Sequence, residues 1–296
     1  MTVQNHSQIK RLRISLKHFS LIVRKSIWRD LRSYSRYKAR LLGTFLNTLI
    51  GMFAIFLLGR LFDFNIISST ETGLNIKETF LFLMSGISLQ IFSDVGLWGP
   101  VSRVENDVYF GTLETVFVSP ASRIAYLLSP TISETIVSTL FFLPPYLLAL
   151  AINGALMNFR IIGWTLLVSF LTILSLMGFG LFLAVLAIRF RQTNTLAYVL
   201  FQVFQFLCGL FVPVQAYISI HPVGGRILQY FAMIFPYTYC YDLMRHYMLG
   251  DNFVTLLPVW VEFVVIIGLS VLFVVMGAFT LKFIEKKAKK SGLAIL

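Results

Sequence analysis

Residues 161–188 read IIGWTLLVSFLTILSLMGFGLFLAVLAI, twenty-eight positions without one charged side chain. A helix rising about 1.5 Å per residue needs about 20 mostly apolar residues to cross the hydrocarbon core of a bilayer. The run is also too continuous for a transmembrane barrel, whose strands alternate polar and apolar side chains over about 10 residues. It predicts a membrane-spanning helix.

The same pattern recurs on both sides of it. Residues 41–58 are uncharged, and the run continues to Phe62 past Arg60. Residues 80–101 carry only Asp94, 124–158 only Glu134, 192–220 no charge, and 256–281 only Glu262. Together these make six spans. Residues 227–241 are uncharged too, but the run is short and Pro236 interrupts it. That suits a re-entrant or interfacial segment, placed at 218–250, better than a seventh span. The whole chain agrees with this class. Of its 296 residues 57% are hydrophobic and 13% charged, and the mean hydropathy is +0.80. Soluble domains are about 45–50% apolar and about 25% charged, so a soluble enzyme and a disordered tail are both excluded.

Charge placement sets the orientation. Residues 1–40 hold eleven Lys/Arg and residues 282–296 hold five; Arg103, Arg123, Arg189 and Arg191 bring that side to twenty. The other side has Lys77, Arg160, Arg226 and Arg245, with Arg60 near it. The asymmetry predicts cytoplasmic termini. The forty basic, polar-rich residues ahead of the first long apolar run argue against a cleaved leader. The layout is therefore a cytoplasmic basic segment at 1–40, a six-span domain at 41–281 and a lysine-rich cytoplasmic tail at 282–296.

Within the first segment, Leu16, Phe19, Val23, Ile27, Leu31, Tyr34 and Tyr37 recur at helical spacing, with Lys17, Arg24, Lys25, Arg29, Arg32 and Arg36 mostly opposite. This predicts an amphipathic helix over 16–38 in the cytoplasmic headgroup layer. It is either a surface anchor for anionic lipid or a lever joining a cytoplasmic partner to the first span. Nucleic acid is a poor fit for cations held this close to a membrane.

The connection 102–123 departs from the basic pattern. Glu105, Asp107 and Glu114 alternate with Val104, Val108, Leu113 and Val116, Gly111 breaks the run, and Ser119-Pro120 opens the next helix. A helix resting on this leaflet should be basic. Acids beside exposed apolar residues fit a protein partner instead. The run Glu105…Gly111-Thr112-Leu113-Glu114…Ser119-Pro120-Ala121-Ser122-Arg123 resembles the E…GTLE…SP-x-SR pattern of ABC-2 type permeases, the membrane subunits of a class of ABC exporters. Two further blocks resemble the same family in order. One is Gly180-Leu181-Phe182-Leu183-Ala184 leading to Ala187-Ile188-Arg189-Phe190-Arg191. The other is Gly209-Leu210-Phe211-Val212-Pro213 followed by Pro236-Tyr237-Thr238-Tyr239 and Arg245.

The resemblance implies an all-α integral membrane subunit of six transmembrane helices, with an N-terminal interfacial helix and an extracellular re-entrant helical hairpin before helix 6. It implies pairing with a second copy or a close relative, in the cytoplasmic membrane of a prokaryote. It implies docking on a separate ABC ATPase, which would carry the ATP and Mg, through Glu105, Asp107, Gly111, Thr112, Glu114, Ser119 and Pro120 and the N-terminal helix. The cargo would be a hydrophobic or amphipathic molecule (a drug, a lipid or a lipid-linked glycan) moved out of the cytoplasm by alternating access. The loop pattern leans toward the drug- and small-molecule-export branch.

Other chemistry has no footing. None of the ten lysines follows a glycine, so the phosphate-cradling G-x-x-x-x-G-K-[ST] loop is missing and ATP must be hydrolysed by another chain. Nor does the chain hold G-x-S-x-G, H-E-x-x-H or paired histidines. Two cysteines are too few for a disulfide framework, and four scattered histidines lack metal-ligand spacing. The alternatives are a secondary transporter or channel, disfavoured because the acids are isolated and the helix break lies at the outer edge, and a non-transporting membrane assembly factor.

Intramembrane polar groups are functional candidates by default. Gln90 and Asp94 share a face of span 2. Tyr198, Phe201, Gln202 and Gln205 mix aromatics and amides along span 5, and Thr44 and Asn47 on span 1 could face the same route. The competing reading for Asp94 and Glu134 is helix packing, each satisfied through Ser93, Ser133 and Thr131. Glu262 reads as an interface position. Gly209 and Pro213, with Pro236, Tyr237, Tyr239 and Tyr241, predict two half-helices under an aromatic cluster at the membrane interface, serving as an outer gate.

Overall fold

The computed structural model describes residues 20–61, 76–112, 115, 123–152, 154, 156–190, 198–199, 202–203, 205–250 and 253–291. Among the described residues the fold is helical, without strands. Helix α1 covers residues 20–36. It is followed by α2 (Lys38–Leu61), α3 (Ile76–Tyr109), α4 (Arg123–Ile152), α5 (Phe159–Phe190), α6 (Pro222–Ala232), α7 (Pro236–Leu249) and α8 (Val259–Ser291). The expected Leu113, Glu114, Ser119, Pro120 and Phe201 lie outside the described residues.

Among the described residues four helices are long and apolar enough to cross a membrane: Leu81–Asp107, Ala125–Ala151, Phe159–Ala184 and Val259–Thr280. They correspond to the second, third, fourth and sixth predicted spans. The described apolar part of α2 is the shorter Leu42–Gly51, and most of residues 191–204 lies outside the described set. The chain is an all-α, multi-pass membrane protein. α8 shows how such a helix is built. Trp260, Val264, Ile267, Val271, Val275 and Phe279 are exposed on one face, while Glu262, Ile266, Ser270 and Phe273 are buried on the other. A stripe of exposed aliphatic side chains of this length is a lipid-facing surface.

In lipid the helices are held by close packing rather than by exclusion of water. α3 and α5 make the central seam. A Cβ on Gly96 would sit 2.7 Å from the Leu176 Cβ, and one on Gly180 would strike the Gly96 carbonyl. α5 meets α8 the same way, where a Cβ on Gly178 would lie 2.7 Å from a Val274 methyl. α4 packs on α3, and α2 packs on both α3 and α4. Pro100, Pro130, Pro144 and Pro145 lie inside α3 and α4, tolerated because neighbouring helices enclose the freed backbone groups.

The described helical turns of the fifth predicted span stop at Leu207, and a turn around Gly209 (φ 95°) leads to Pro213 and a short 3₁₀ segment, at the break that the sequence marks. Two expectations change. α3 does not end near Val101 but runs unbroken to Tyr109, so Glu105 and Asp107 sit on a rigid extension of the span, not on a separate loop helix. Tyr237, Tyr239 and Tyr241 do not form an exposed aromatic cluster. All three are almost fully buried, because α7 is wedged between α3, α5 and α8.

Candidate functional site

The Tyr109 end of α3 is capped by its own loop. The Thr112 amide donates to the Asp107 carbonyl at 2.9 Å, and the Thr112 hydroxyl donates to Asp107 Oδ1 at 2.6 Å. Gly111 supplies the left-handed turn (φ 67°) that lets the chain fold back, a conformation that other residues resist. Glu105 and Asp107 are half-buried. Arg29 of α1 lies within electrostatic reach of Asp107. α1 itself is fastened to the membrane helices by a polar knot. The Ser129 hydroxyl of α4 donates to Ser26 Oγ at 3.0 Å, and Arg103 of α3 donates to the same oxygen at 3.3 Å. The amphipathic helix, α3 and α4 thus meet at one point, which sequence periodicity did not reveal.

Above this junction a groove of about 550 Å³ runs between α2, α3 and α4. Its wall along α3 extends from Ile87 to Ser102, roughly 22 Å of helix. Thr44 and Asn47 of α2, Gln90 and Asp94 of α3 and Glu134 of α4 all line it. Gln90 and Asp94 face the groove as expected, and Thr44 and Asn47 join them there. Glu134 is a wall residue as well, and also borders a smaller cavity of about 220 Å³ nearer the cytoplasm, beside Asp30 and Arg103. Ser93 donates to the Leu89 carbonyl and Ser133 to the Ser129 carbonyl, each within its own helix.

Span 5 meets the groove from behind. The Gln205 amide donates to Asp94 Oδ1 at 3.2 Å, joining residues from two predicted spans. Tyr198 and Gln202 are placed differently. Gln202 donates to the Tyr198 hydroxyl at 3.1 Å, and the Tyr198 ring lies 6.4 Å from the Trp98 ring, centroid to centroid; neither lines the groove.

The outer end is closed by a clamp centred on Arg245. Sequence counting places this residue among the cations of the non-cytoplasmic side. In the structure it is 2% exposed. Its Nη1 donates to the Gly209 carbonyl at 2.5 Å and its Nη2 to the Leu210 carbonyl at 2.7 Å. Its guanidinium lies 3.5 Å from the Phe82 ring centroid. The two carbonyls are freed by the positive-φ turn that ends span 5, so the arginine replaces their missing helical partners. Gly86 leaves room for it, since a Cβ there would lie 2.9 Å from the Leu210 oxygen. The Tyr217 hydroxyl donates to the Phe206 and Leu207 carbonyls at 2.8 and 2.9 Å and finishes the same helix end.

A second set of contacts ties α7 to its surroundings. Asp242 accepts from the Gln215 amide at 3.0 Å and from the Leu256 amide at 2.6 Å. Glu262, fully buried beside Asp242, accepts from the Leu257 amide at 3.0 Å. The break between α6 and α7 is pinned by Thr238 donating to the Ala232 carbonyl at 2.6 Å and Tyr239 to the Met233 carbonyl at 2.9 Å. Pro236 is the first residue of α7, where its lack of an N–H costs nothing. Pro213 caps the 3₁₀ segment. Of the predicted gate residues, Gly209, Pro213, Pro236, Tyr237 and Tyr239 do come together in one assembly. Its organisers, Arg245, Asp242 and Gln215, were the residues that sequence reasoning did not single out for this role. The available signal was a charge three residues from an acid inside an otherwise apolar stretch.

No curated protein matches the chain. A family model described as ABC-2 type transporter matches residues 17–249. That match runs from α1 through α3 to the last turn of the Arg245 helix, so the chain belongs to the ABC-2 type transporter family, whose members are transport permeases.

Proposed function

We propose that the chain is the membrane half of an ATP-driven exporter, working as a two-fold dimer on two separate ATPase subunits. The observation that supports this best is the continuity of α3. One uninterrupted helix carries Gln90 and Asp94 on the groove wall and Glu105 and Asp107 at its cytoplasmic end. A partner that displaced the lower end would move the groove wall with it. Glu105, Asp107, Gly111, Thr112, Glu114, Ser119 and Pro120 would form the docking segment, with α1 as a second lever. Gln90, Asp94 and Gln205 would border the cargo route, and the Gly209–Pro213 turn with α6 and α7 would be its outer lid. The cargo would be a hydrophobic or amphipathic molecule leaving the cytoplasm, with both termini on the ATPase side.

The test is reconstitution of the chain with its cognate ABC ATPase in liposomes. Wild type should co-purify with the ATPase and stimulate its MgATP hydrolysis. Glu114→Lys should leave the membrane subunit folded and lower the stimulated rate at least several-fold. An intact complex with unchanged stimulation would argue against the docking role.

A further inference from the structure

Beside α1, at the cytoplasmic edge of the helices, lies a pocket of about 440 Å³ whose lining includes Lys25 and Arg29 of α1, Arg103 of α3 and Tyr126 of α4. Two guanidinium groups converge there on one neutral oxygen: Arg29 Nη2 and Arg103 Nη2 both donate to Ser26 Oγ at 3.3 Å. Bringing two like charges together around an uncharged acceptor is unfavourable unless an anion shares the space. Arg29 has a counter-charge in Asp30 at 2.8 Å and a second acid, Asp107, within electrostatic reach. Among the described residues neither Arg103 nor Lys25 is ion-paired. Arg103 leans instead on the Tyr126 ring, 5.0 Å from its centroid. Its Nε and the Tyr126 hydroxyl are both buried without a hydrogen-bond partner, and a buried polar group left unsatisfied is unfavourable. Leu21 and Ile22 form an apolar shoulder to the pocket, and Leu21 is 52% exposed.

Cations, unsatisfied donors and an apolar shoulder at headgroup level describe a phosphodiester attached to hydrocarbon. We infer that this pocket binds the phosphate of an anionic phospholipid from the cytoplasmic leaflet, and that the bound lipid locks α1 to α3 and α4. The inference does not depend on the cargo or on the ATPase. It differs from general attraction of a basic helix to a negative leaflet, because it assigns the binding to Lys25 and Arg103 rather than to charge count. Arg24 is exposed on the same helix, does not line the pocket, and serves as the charge-matched control.

The experiment is native mass spectrometry of the full chain in detergent micelles doped with dioleoylphosphatidylglycerol, dioleoylphosphatidylcholine or soluble glycerol phosphate. Wild type should retain phosphatidylglycerol through delipidation in preference to phosphatidylcholine. Arg103→Gln and Lys25→Gln should each weaken retention about tenfold, as loss of one charged hydrogen bond predicts, and Arg24→Gln should not. Tyr126→Phe, which keeps the ring and removes only the hydroxyl, should weaken it less but measurably. Equal loss in Arg24→Gln and Lys25→Gln would reduce the effect to bulk electrostatics and overturn the site. Glycerol phosphate binding as tightly as the lipid would overturn the lipid assignment, and retention unchanged in both Lys25→Gln and Arg103→Gln would overturn the inference altogether.

Discussion

Arg245→Met removes the centre of the outer clamp while keeping an unbranched chain of similar length. The guanidinium makes two charge-assisted hydrogen bonds, to the Gly209 and Leu210 carbonyls, each about 1.5–3 kcal/mol. It also makes a desolvated cation–π contact with Phe82, about 2 kcal/mol. Burying the charge offsets part of this, and removal of one partner from a buried charged set costs about 3–5 kcal/mol net. Methionine would leave two turn carbonyls unsatisfied and Asp242 without its neighbouring cation. At about 2 °C per kcal/mol for a chain of this size, the apparent melting midpoint should fall by roughly 6–10 °C. The assay is thermal unfolding of the detergent-purified chain at one fixed heating rate, since membrane proteins rarely refold reversibly. Arg245→Lys should recover only part of the loss, because a point ammonium cannot fork to two carbonyls while stacking on a ring. Arg226→Gln, an exposed cation of the neighbouring α6, should leave the midpoint in place. If Arg245→Met melts with Arg226→Gln, the clamp contributes nothing to stability and the burial argument fails.

Other predictions follow from the packing. Gly180→Val should abolish monodisperse expression, because its Cβ would meet the Gly96 and Leu97 carbonyls, whereas Gly163→Ala, with nothing within 4 Å, should be neutral; size-exclusion profiles decide. If span 5 lies near a two-fold axis, Val203→Cys, 44% exposed, should crosslink to its own copy, and Gln205→Cys, 3% exposed, should not; an absence of crosslinks from every exposed span 5 position would place the axis elsewhere. A cysteine at half-buried Met233 should be labelled slowly from outside at rest and faster during ATP turnover. Full labelling in both conditions would remove the lid.

The parts of the fold legible in sequence are those set by local composition. Apolar run length located the spans at 80–101, 124–158, 161–188 and 256–281, and Gly209, Pro213 and Pro236 marked the outer breaks because their backbone chemistry acts on the spot. The helix at 20–36 followed from periodicity alone. The end of α3 was misplaced because hydropathy falls after Val101 while helicity does not. Pro100 lies inside the helix, and the residues beyond it stay helical beside α1. Arg245 was read as an outside charge because its acceptors lie thirty-five and thirty-six positions away, and its ring partner Phe82 is farther still. Gln90 and Asp94 could be placed on one face by spacing, but the Asp94–Gln205 bond joins helices whose register no local pattern specifies.

The distribution of polar contacts bears on where a permease of this build can move. At the end near Gly209, α7 is held by Arg245 to the Gly209 and Leu210 carbonyls, by Asp242 to Gln215 and Leu256, and by Tyr239 to the Met233 carbonyl. In the middle, glycine seams lock α3 to α5 and α5 to α8. α2 forms another wall of the groove through Thr44, Asn47 and Gly51, and packs on α3 and α4. Its first residue, Lys38, follows α1 directly, and α1 meets α3 and α4 at the Ser26 knot. Under the proposed mechanism, a push delivered to α1 and to the Asp107 end of α3 would reach two walls of the groove at once, because α1 leads into α2 and α3 carries Gln90 and Asp94. The densely bonded Arg245 assembly would yield last.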